Sequence, residues 1–453
     1  MAKLHSVRLN EAKCVGCTNC IKKCPTEAIR VRDGKARIAE ERCIDCGECI
    51  RVCPHHAKSA EMDTLDAMKN YRYKIALAAP SLYAQFGAPA TRPMVLAAVL
   101  NLGFDDVYEV AIGAEIVTHS TSLLLPQARR EGRLPLISSA CPAVVRVIQE
   151  KYPGLIDNLV PFDSPMEVTA DLARREALAK TGLPSDEIGI FFISPCPAKR
   201  TAVTNPIGNR PTAIDGVFSY ADVYPRILAG LETMNPAQVA EFSQRIMASA
   251  GGVRWGTSGG EAMGLMIEKY LAVDGILNVV AILEEIENER LRDIDFIEAN
   301  SCMGGCIGGP LAVANRYTAM ARMNRYIREA EMFAREHAAT VFNPEPVTLE
   351  PWSERPAPNN ALKLDADILK ALEKYEKMEQ ITQNLPGLDC GACGAPNCVA
   401  LAEDIVRGLS VESDCIFKLK ERIRAVAAQM SELEREMNRH AQQTGGENSD
   451  GSA

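Results

Sequence analysis

The stretch Ile294-Asp-Phe-Ile-Glu-Ala-Asn-Ser-Cys302-Met-Gly-Gly-Cys306-Ile-Gly-Gly-Pro310 decides how this chain is read. Its first half is short and rich in β-branched and aromatic residues, the composition of a buried strand. The run ends at Cys302, and Cys306 follows within four residues. Gly304–Gly305 and Gly308–Gly309 remove side chains around Cys306, as expected where backbone must approach a bulky metal centre. Three more stretches share the pattern: YKIALAAP (73–80), LPLISSACP (134–142) and EIGIFFISPCP (187–197). Each is an apolar run ending at Pro or Cys, and helix-like patterns lie between them. The alternation predicts an α/β domain of mostly parallel strands over residues 72–342. Ligands of such sheets collect beyond the carboxyl ends of the strands. Cys141, Cys196 and Cys302 each follow a strand, so three strand ends and Cys306 can bring four thiolates to one cubane. The competing reading is buried free cysteines. Four at strand ends, two of them followed by Pro, weigh against it.

All sixteen cysteines of the 453 residues fall into three groups: eight before residue 54, four between 141 and 306, and four after 389. Metal ligation accounts for this grouping better than disulfides. The first eight form a repeat, Cys14-x2-Cys17-x2-Cys20-x3-Cys24-Pro25 and Cys43-x2-Cys46-x2-Cys49-x3-Cys53-Pro54. This is the two-cluster bacterial ferredoxin spacing, in which the fourth cysteine serves the other cluster. Cys14, Cys17, Cys20 and Cys53 are expected on one 4Fe–4S cluster, and Cys43, Cys46, Cys49 and Cys24 on the other. Zinc favours two CxxC pairs instead. Residues 1–60 are thus expected to form an α+β ferredoxin-like domain for electron relay. His55 and His56 read as surface residues.

With these motifs in place, the middle of the chain resembles the catalytic domain of FeFe hydrogenases over residues 74–340. Ser138-Ser139-Ala140-Cys141-Pro142 stands for the family's TSCCP, and Ser194-Pro195-Cys196-Pro197-Ala198-Lys199 for MPCxxK. Glu298 to Pro310 stands for ExMxCxxGCxxGGGQP, and Ala79-Pro80-Ser81 and GVRWGTSGG are further echoes. The resemblance implies that Cys141, Cys196, Cys302 and Cys306 hold the cubane of an H-cluster. Cys306 would bridge it to a di-iron subsite carrying CO and CN⁻. Lys199 would donate to one cyanide, and Pro80 and Ser81 would line the other. Four departures stand out. Ala140 replaces the family's proton-shuttling cysteine. Ser194 and Asn300 replace two methionines, and Trp255 a phenylalanine. The acidic pair of the active family is not apparent in Gly113-Ala-Glu-Ile-Val-Thr-His-Ser-Thr121, where His119 is either a substitute or a structural histidine. These changes resemble the family's sensory branches.

The four late cysteines, Cys390-x2-Cys393-x4-Cys398-x16-Cys415, resemble the small helical 4Fe–4S domain of corrinoid iron–sulfur proteins. Zinc is the competing ligand there. The expected organisation places a Pro-rich linker and helix over 343–383, with the helix near Leu364–Met378. The small 4Fe–4S domain and a terminal helix span 384–440, and 441–453 form a disordered tail. Apolar residues from Ile416 to Met437 advance by three and four. That spacing suits either a coiled-coil homodimer through 416–437 or a helix packed on its own domain. Net charge is −9 with no basic stripe, which argues against nucleic acid. No apolar run reaches the roughly 18 residues of a membrane span. The start, MAKLHSVRLNEAK, does not read as a secretory signal, so the expected location is the cytoplasm.

The function expected is an H₂-sensing or low-turnover hydrogenase fed by three further 4Fe–4S clusters. Its expected partners are H₂, protons, a redox carrier such as ferredoxin, and a signalling protein, since no signalling domain is apparent in the chain. Two alternatives are a metabolic ferredoxin-dependent hydrogenase, which Ala140 opposes, and an H-cluster-free iron–sulfur scaffold or carrier. Lys199, Cys306 and Pro80-Ser81 oppose the latter.

Overall fold

The apolar runs become strands where the sequence places them. In chain order the strands are β1 (Val7–Leu9), β2 (Ile29–Arg32), β3 (Lys35–Ile38), β4 (Lys58–Ala60), β5 (Tyr73–Ala78) and β6 (Asp106–Glu109). They continue with β7 (Leu136–Ile137), β8 (Ile188–Ser194), β9 (Gly216–Ser219), β10 (Tyr270–Asp274) and β11 (Phe296–Asn300). The computed structural model describes residues 5–207, 211–245, 247–345 and 347–445. One unit comprises residues up to 14, 23–28 and 38–362, and the other 15–22, 29–37 and 363 onward.

In the first unit β1 pairs antiparallel with β4. Two parallel sheets follow, ordered β6-β5-β8-β9 and β10-β11-β7. All seven residues of β8 are buried, because a parallel sheet covered on both faces needs an uninterrupted apolar strand. Phe191 of β8 stacks on Phe218 at 5.1 Å and meets Tyr71 edge-on at 5.6 Å.

The Cys-Pro pairs have a structural reason. Cys141 and Cys196 are extended N-cap residues, and Pro142 and Pro197 open the helices Pro142–Lys151 and Pro197–Thr204. Proline at the first helical position costs no hydrogen bond and presets φ. Ala79-Pro80 repeats the device at the end of β5. β5 and β8 therefore stop and turn into a helix within three positions, and β7 does so within five.

The Pro-rich segment is extended, as its five prolines require, but it lies against the first unit rather than hanging free. Trp352 donates its indole N–H to Asp163 Oδ1 at 2.9 Å and its amide to Pro161 at 2.7 Å. Arg355 donates to the Leu159 carbonyl at 2.6 Å, and the Leu349 amide to Ser120 Oγ at 3.1 Å.

In the second unit the first long helix spans Ile368–Asn384, later than its apolar pattern suggested. Asp367 fixes the start by accepting from the Leu369 and Lys370 amides. The helix packs through Ile381 and Leu385 on the helix Cys398–Val406. The β2–β3 hairpin docks on the same segment: Val31 N donates to Gly394 O at 2.8 Å, and Arg30 and Arg32 grip Asp404 at 2.8 and 2.7 Å. A Cβ on Gly394 would lie 1.9 Å from Val31 O, so only glycine fits. The terminal helix runs Ile416–Gly445, and the rest of the expected tail, 446–453, lies outside the described residues. Among the described residues no helix is long and apolar enough to cross a membrane.

Truncating Phe191 to alanine should lower the stability of the first unit by about 3–5 kcal/mol. Urea denaturation followed by circular dichroism measures this; a loss under about 1 kcal/mol would mean the aromatic stack is not part of the core that holds the sheet.

Candidate metal centre

The carboxyl ends of β5, β7, β8 and β11 open on one cavity, and its wall carries Cys141, Cys196, Cys302 and Cys306. Burial, and then the neighbouring Cys302, Cys141 and Cys306, push the Cys196 thiol well above its usual range. Cys306 is pushed up to about 12 by burial and then by Cys302 and Cys141. Cys306 is the most exposed of the four and lines the cavity. Cys302 is raised by burial as well, so Cys196, Cys302 and Cys306 favour their protons until a cation takes over their charge. The donor set therefore fits an iron–sulfur cubane. The backbone fits as well. Gly305 has φ +82°, and a Cβ there would lie 2.5 Å from Ser258 N.

The other sequence-derived residues meet at the same place. Lys199 lines the cavity and donates from Nζ to the Ala140 carbonyl at 2.8 Å. Pro80 and Ser81 lie on the wall, with Ser81 Oγ 2.7 Å from Tyr220 OH in a shared hydrogen bond. Ala140, Ser194, Asn300 and Trp255 line it too, and Trp255 Nε1 donates to Thr118 Oγ1 at 2.8 Å. His119 is half-buried and is not among the lining residues.

The sequence reading found no acidic pair in the 113–121 segment, and the structure finds carboxylates elsewhere on the wall. Glu261 and Glu298 are both buried and line the cavity. Glu298 accepts from Gly259 N at 2.9 Å, Ala262 N at 3.0 Å and Asn300 Nδ2 at 2.8 Å. Glu261 accepts from Ser138 Oγ at 2.5 Å. Burial, then the charge of Glu298, raise Glu261 to about 8. The pair thus holds a proton near neutral pH two residues from Ala140, through Ser138. Glu298 stands inside the quoted motif, whereas nothing in the sequence places Glu261 beside it. Glu115 of the 113–121 segment is also buried, accepting from Ser249 N at 2.7 Å and Gly252 N at 3.2 Å.

Cys46 shares the cavity wall and packs with Cys141 and Cys196 on one apolar cluster. Cys24 and Cys49 act electrostatically on both Cys43 and Cys46, so the second ferredoxin set converges beside the cavity. The sequence repeat reappears in hydrogen bonds: Ala28 N donates to Cys24 Sγ at 3.2 Å, and Ala57 N to Cys53 Sγ at 3.3 Å. Arg51, which the sequence reading passed over, bonds to Cys302 and to Glu48. Of the remaining N-terminal ligand candidates, Cys14 is buried, Cys17 exposed, and Cys20 and Cys53 half-buried. His55 and His56 are exposed, as expected. In the second unit Cys390, Cys393, Cys398 and Cys415 line one small cavity, and burial raises the Cys393 thiol.

A fold of parallel strands ending in converging thiols, preceded by a ferredoxin-type cysteine repeat, defines an iron–sulfur redox protein. The family described as iron only hydrogenase large subunit, C-terminal domain, matches residues 72–267 and 258–310, and the chain belongs to it. A 4Fe-4S dicluster domain matches residues 6–54, and an Fe–S cluster family matches 385–417. Iron hydrogenase 1 of Clostridium pasteurianum is 25% identical over 306 residues, 56% of this chain and 53% of that protein. The periplasmic Fe hydrogenase large subunit of Nitratidesulfovibrio vulgaris is 34% identical over 215 residues, 44% of this chain and 51% of that protein. The chain thus spans about half the length of these curated relatives. A variant of the FeFe-hydrogenase HydA1 from Chlamydomonas reinhardtii superposes with a TM-score of 0.46 at 15% identity, covering 65% of this chain and 98% of that one.

Glu261 gives a pH prediction. Its folded-state value of about 8 lies above the ordinary 4.5, so the protonated carboxyl favours the fold. Its contribution is complete below about 4.5 and is lost as pH rises through about 8, at roughly 1.4 kcal/mol per pH unit. Glu261→Gln should remove that slope, so that the variant denatures at higher urea than the parent above pH 8. Denaturation curves that keep the same pH slope in both proteins would exclude a protonated Glu261.

Proposed function

We propose that this protein is an H₂-responsive, low-turnover member of the hydrogenase family that interconverts H₂ with two protons and two electrons. The observation that carries the proposal is one cavity combining four converging thiols, Lys199, Pro80 and Ser81 with alanine at position 140. Cys141, Cys196, Cys302 and Cys306 would hold the cubane, and Cys306 would also serve the di-iron subsite. When bound, the di-iron subsite supplies the site at which H₂ is split or formed. The chain's residues do the rest. Lys199 brings a three-donor ammonium to the wall, fixed by its bond to the Ala140 carbonyl. Glu261 and Glu298 hold one proton between them inside the cavity. The Ala140 methyl cannot carry that proton onward, so the last hop lacks a titratable group. A slow site reports H₂ through its redox state instead of consuming it.

The second ferredoxin set, whose Cys46 reaches the same wall, would hold a cluster that supplies electrons to the site. By their motifs, Cys14, Cys17, Cys20 and Cys53 would hold another cluster, and Cys390, Cys393, Cys398 and Cys415 a fourth cubane. A redox carrier of the ferredoxin type feeds them, and a signalling protein reads the result. The retained Lys199 and Ser81 favour this reading over a scaffold without the di-iron subsite.

Matured with the hydrogenase assembly machinery, the protein should carry about eighteen irons and show CO and CN⁻ infrared bands. Cys306→Ala should abolish those bands while the other cubanes remain; their survival would refute the ligand assignment. Ala140→Cys should raise H₂ evolution with a reduced viologen, at matched di-iron occupancy, by less than about a hundredfold. An unaltered protein already as fast as a metabolic hydrogenase would end the low-turnover reading.

A further inference from the structure

The terminal helix Ile416–Gly445 presents an apolar seam that its own unit leaves uncovered. From Leu419, 41% exposed, to Met437, 71% exposed, every residue of the seam faces solvent. Packing on its own domain, the alternative open from sequence, does not occur among the described residues. A seam with steps of three and four is the surface that a second helix of the same kind covers.

The flanking charges select the orientation. Reading Ile423 and Met430 as a positions and Leu419, Val426 and Leu433 as d positions puts Lys420 and Glu434 at e, and Arg422 and Glu436 at g. In a parallel pair, g residues face e residues five positions on. Arg422 then faces Ala427 and Gln429 faces Glu434, so no opposite charges meet. In an antiparallel pair, e faces e and g faces g. With Ile423 layered on Leu433 of the second copy and Val426 on Met430, Lys420 falls opposite Glu434. Arg422 then falls opposite Glu436, while Ala427 and Gln429 each meet their own kind. Both cations find anions in the one register that also aligns the apolar layers.

We propose that residues 419–437 form an antiparallel two-stranded coiled coil between two copies of this chain. The proposal is independent of the hydrogenase reading. It sets the Cys415 ends of the two helices about 39 Å apart, from 1.5 Å of rise per residue, so the two C-terminal cysteine sets lie at opposite ends of the rod.

Sedimentation of the full-length, iron-loaded protein tests the pairing. The unaltered protein should be a dimer. Lys420→Glu with Arg422→Glu should weaken self-association at least about tenfold, as should Glu434→Lys with Glu436→Arg. An equimolar mixture of the two variants should restore dimerisation, because every facing pair is again opposite in charge. Unchanged iron content in each variant shows that the chain still folds. A monomeric parent, variants that dimerise as well as the parent, or a mixture that stays monomeric would each overturn the proposal.

Discussion

Four sulfur atoms must meet in one place, and no single element can bring them there. Cys141 follows β7, Cys196 follows β8, and Cys302 and Cys306 follow β11. β8 belongs to one parallel sheet and β7 and β11 to the other. The cavity therefore depends on both sheets ending at the same depth. Burial raises the cost of ionising Cys196, Cys302 and Cys306, and neighbouring thiolates raise it further. Without a cation these three favour the neutral thiol. With one the arrangement becomes a tie between the two sheets, so metal and fold stabilise each other.

The same low-dielectric setting governs the carboxylates. Burial and then the charge of Glu298 raise Glu261, because two buried acids whose charges interact do not both ionise cheaply. Both acids line the cavity, and position 140 on the same wall offers only a methyl group. Arg51 adds a fixed positive charge beside Cys302.

Much of this was legible in the residues themselves. Apolar runs ending at Pro or Cys marked β5, β7, β8 and β11, while β6, β9 and β10 were not read from the sequence. Cysteine spacing marked out the iron–sulfur segments, because three thiols two residues apart have few other uses. What was hidden depends on distance in the chain. Glu261 and Glu298 are 37 positions apart, and only the close packing of Gly259–Gly264 against β11 makes them neighbours. Arg51 was unreadable for the same reason, since its partner Cys302 lies in another domain of the sequence. The helix expected at Leu364 began at Ile368 because a cap, and not the apolar pattern, sets where a helix starts.

The Pro-rich strap has a mechanical consequence. Its anchors follow one another along the chain: Asn359 on Gln149 and Glu41, Arg355 on Leu159, Trp352 on Pro161 and Asp163, Leu349 on Ser120. A pull on residue 363 loads them one at a time, as in unzipping, rather than all together. Leu159 is itself bridged to Ile137 of β7, three residues ahead of Ala140. Tension on the C-terminal segment is thus carried, after the first anchor yields, to the strand that positions Cys141.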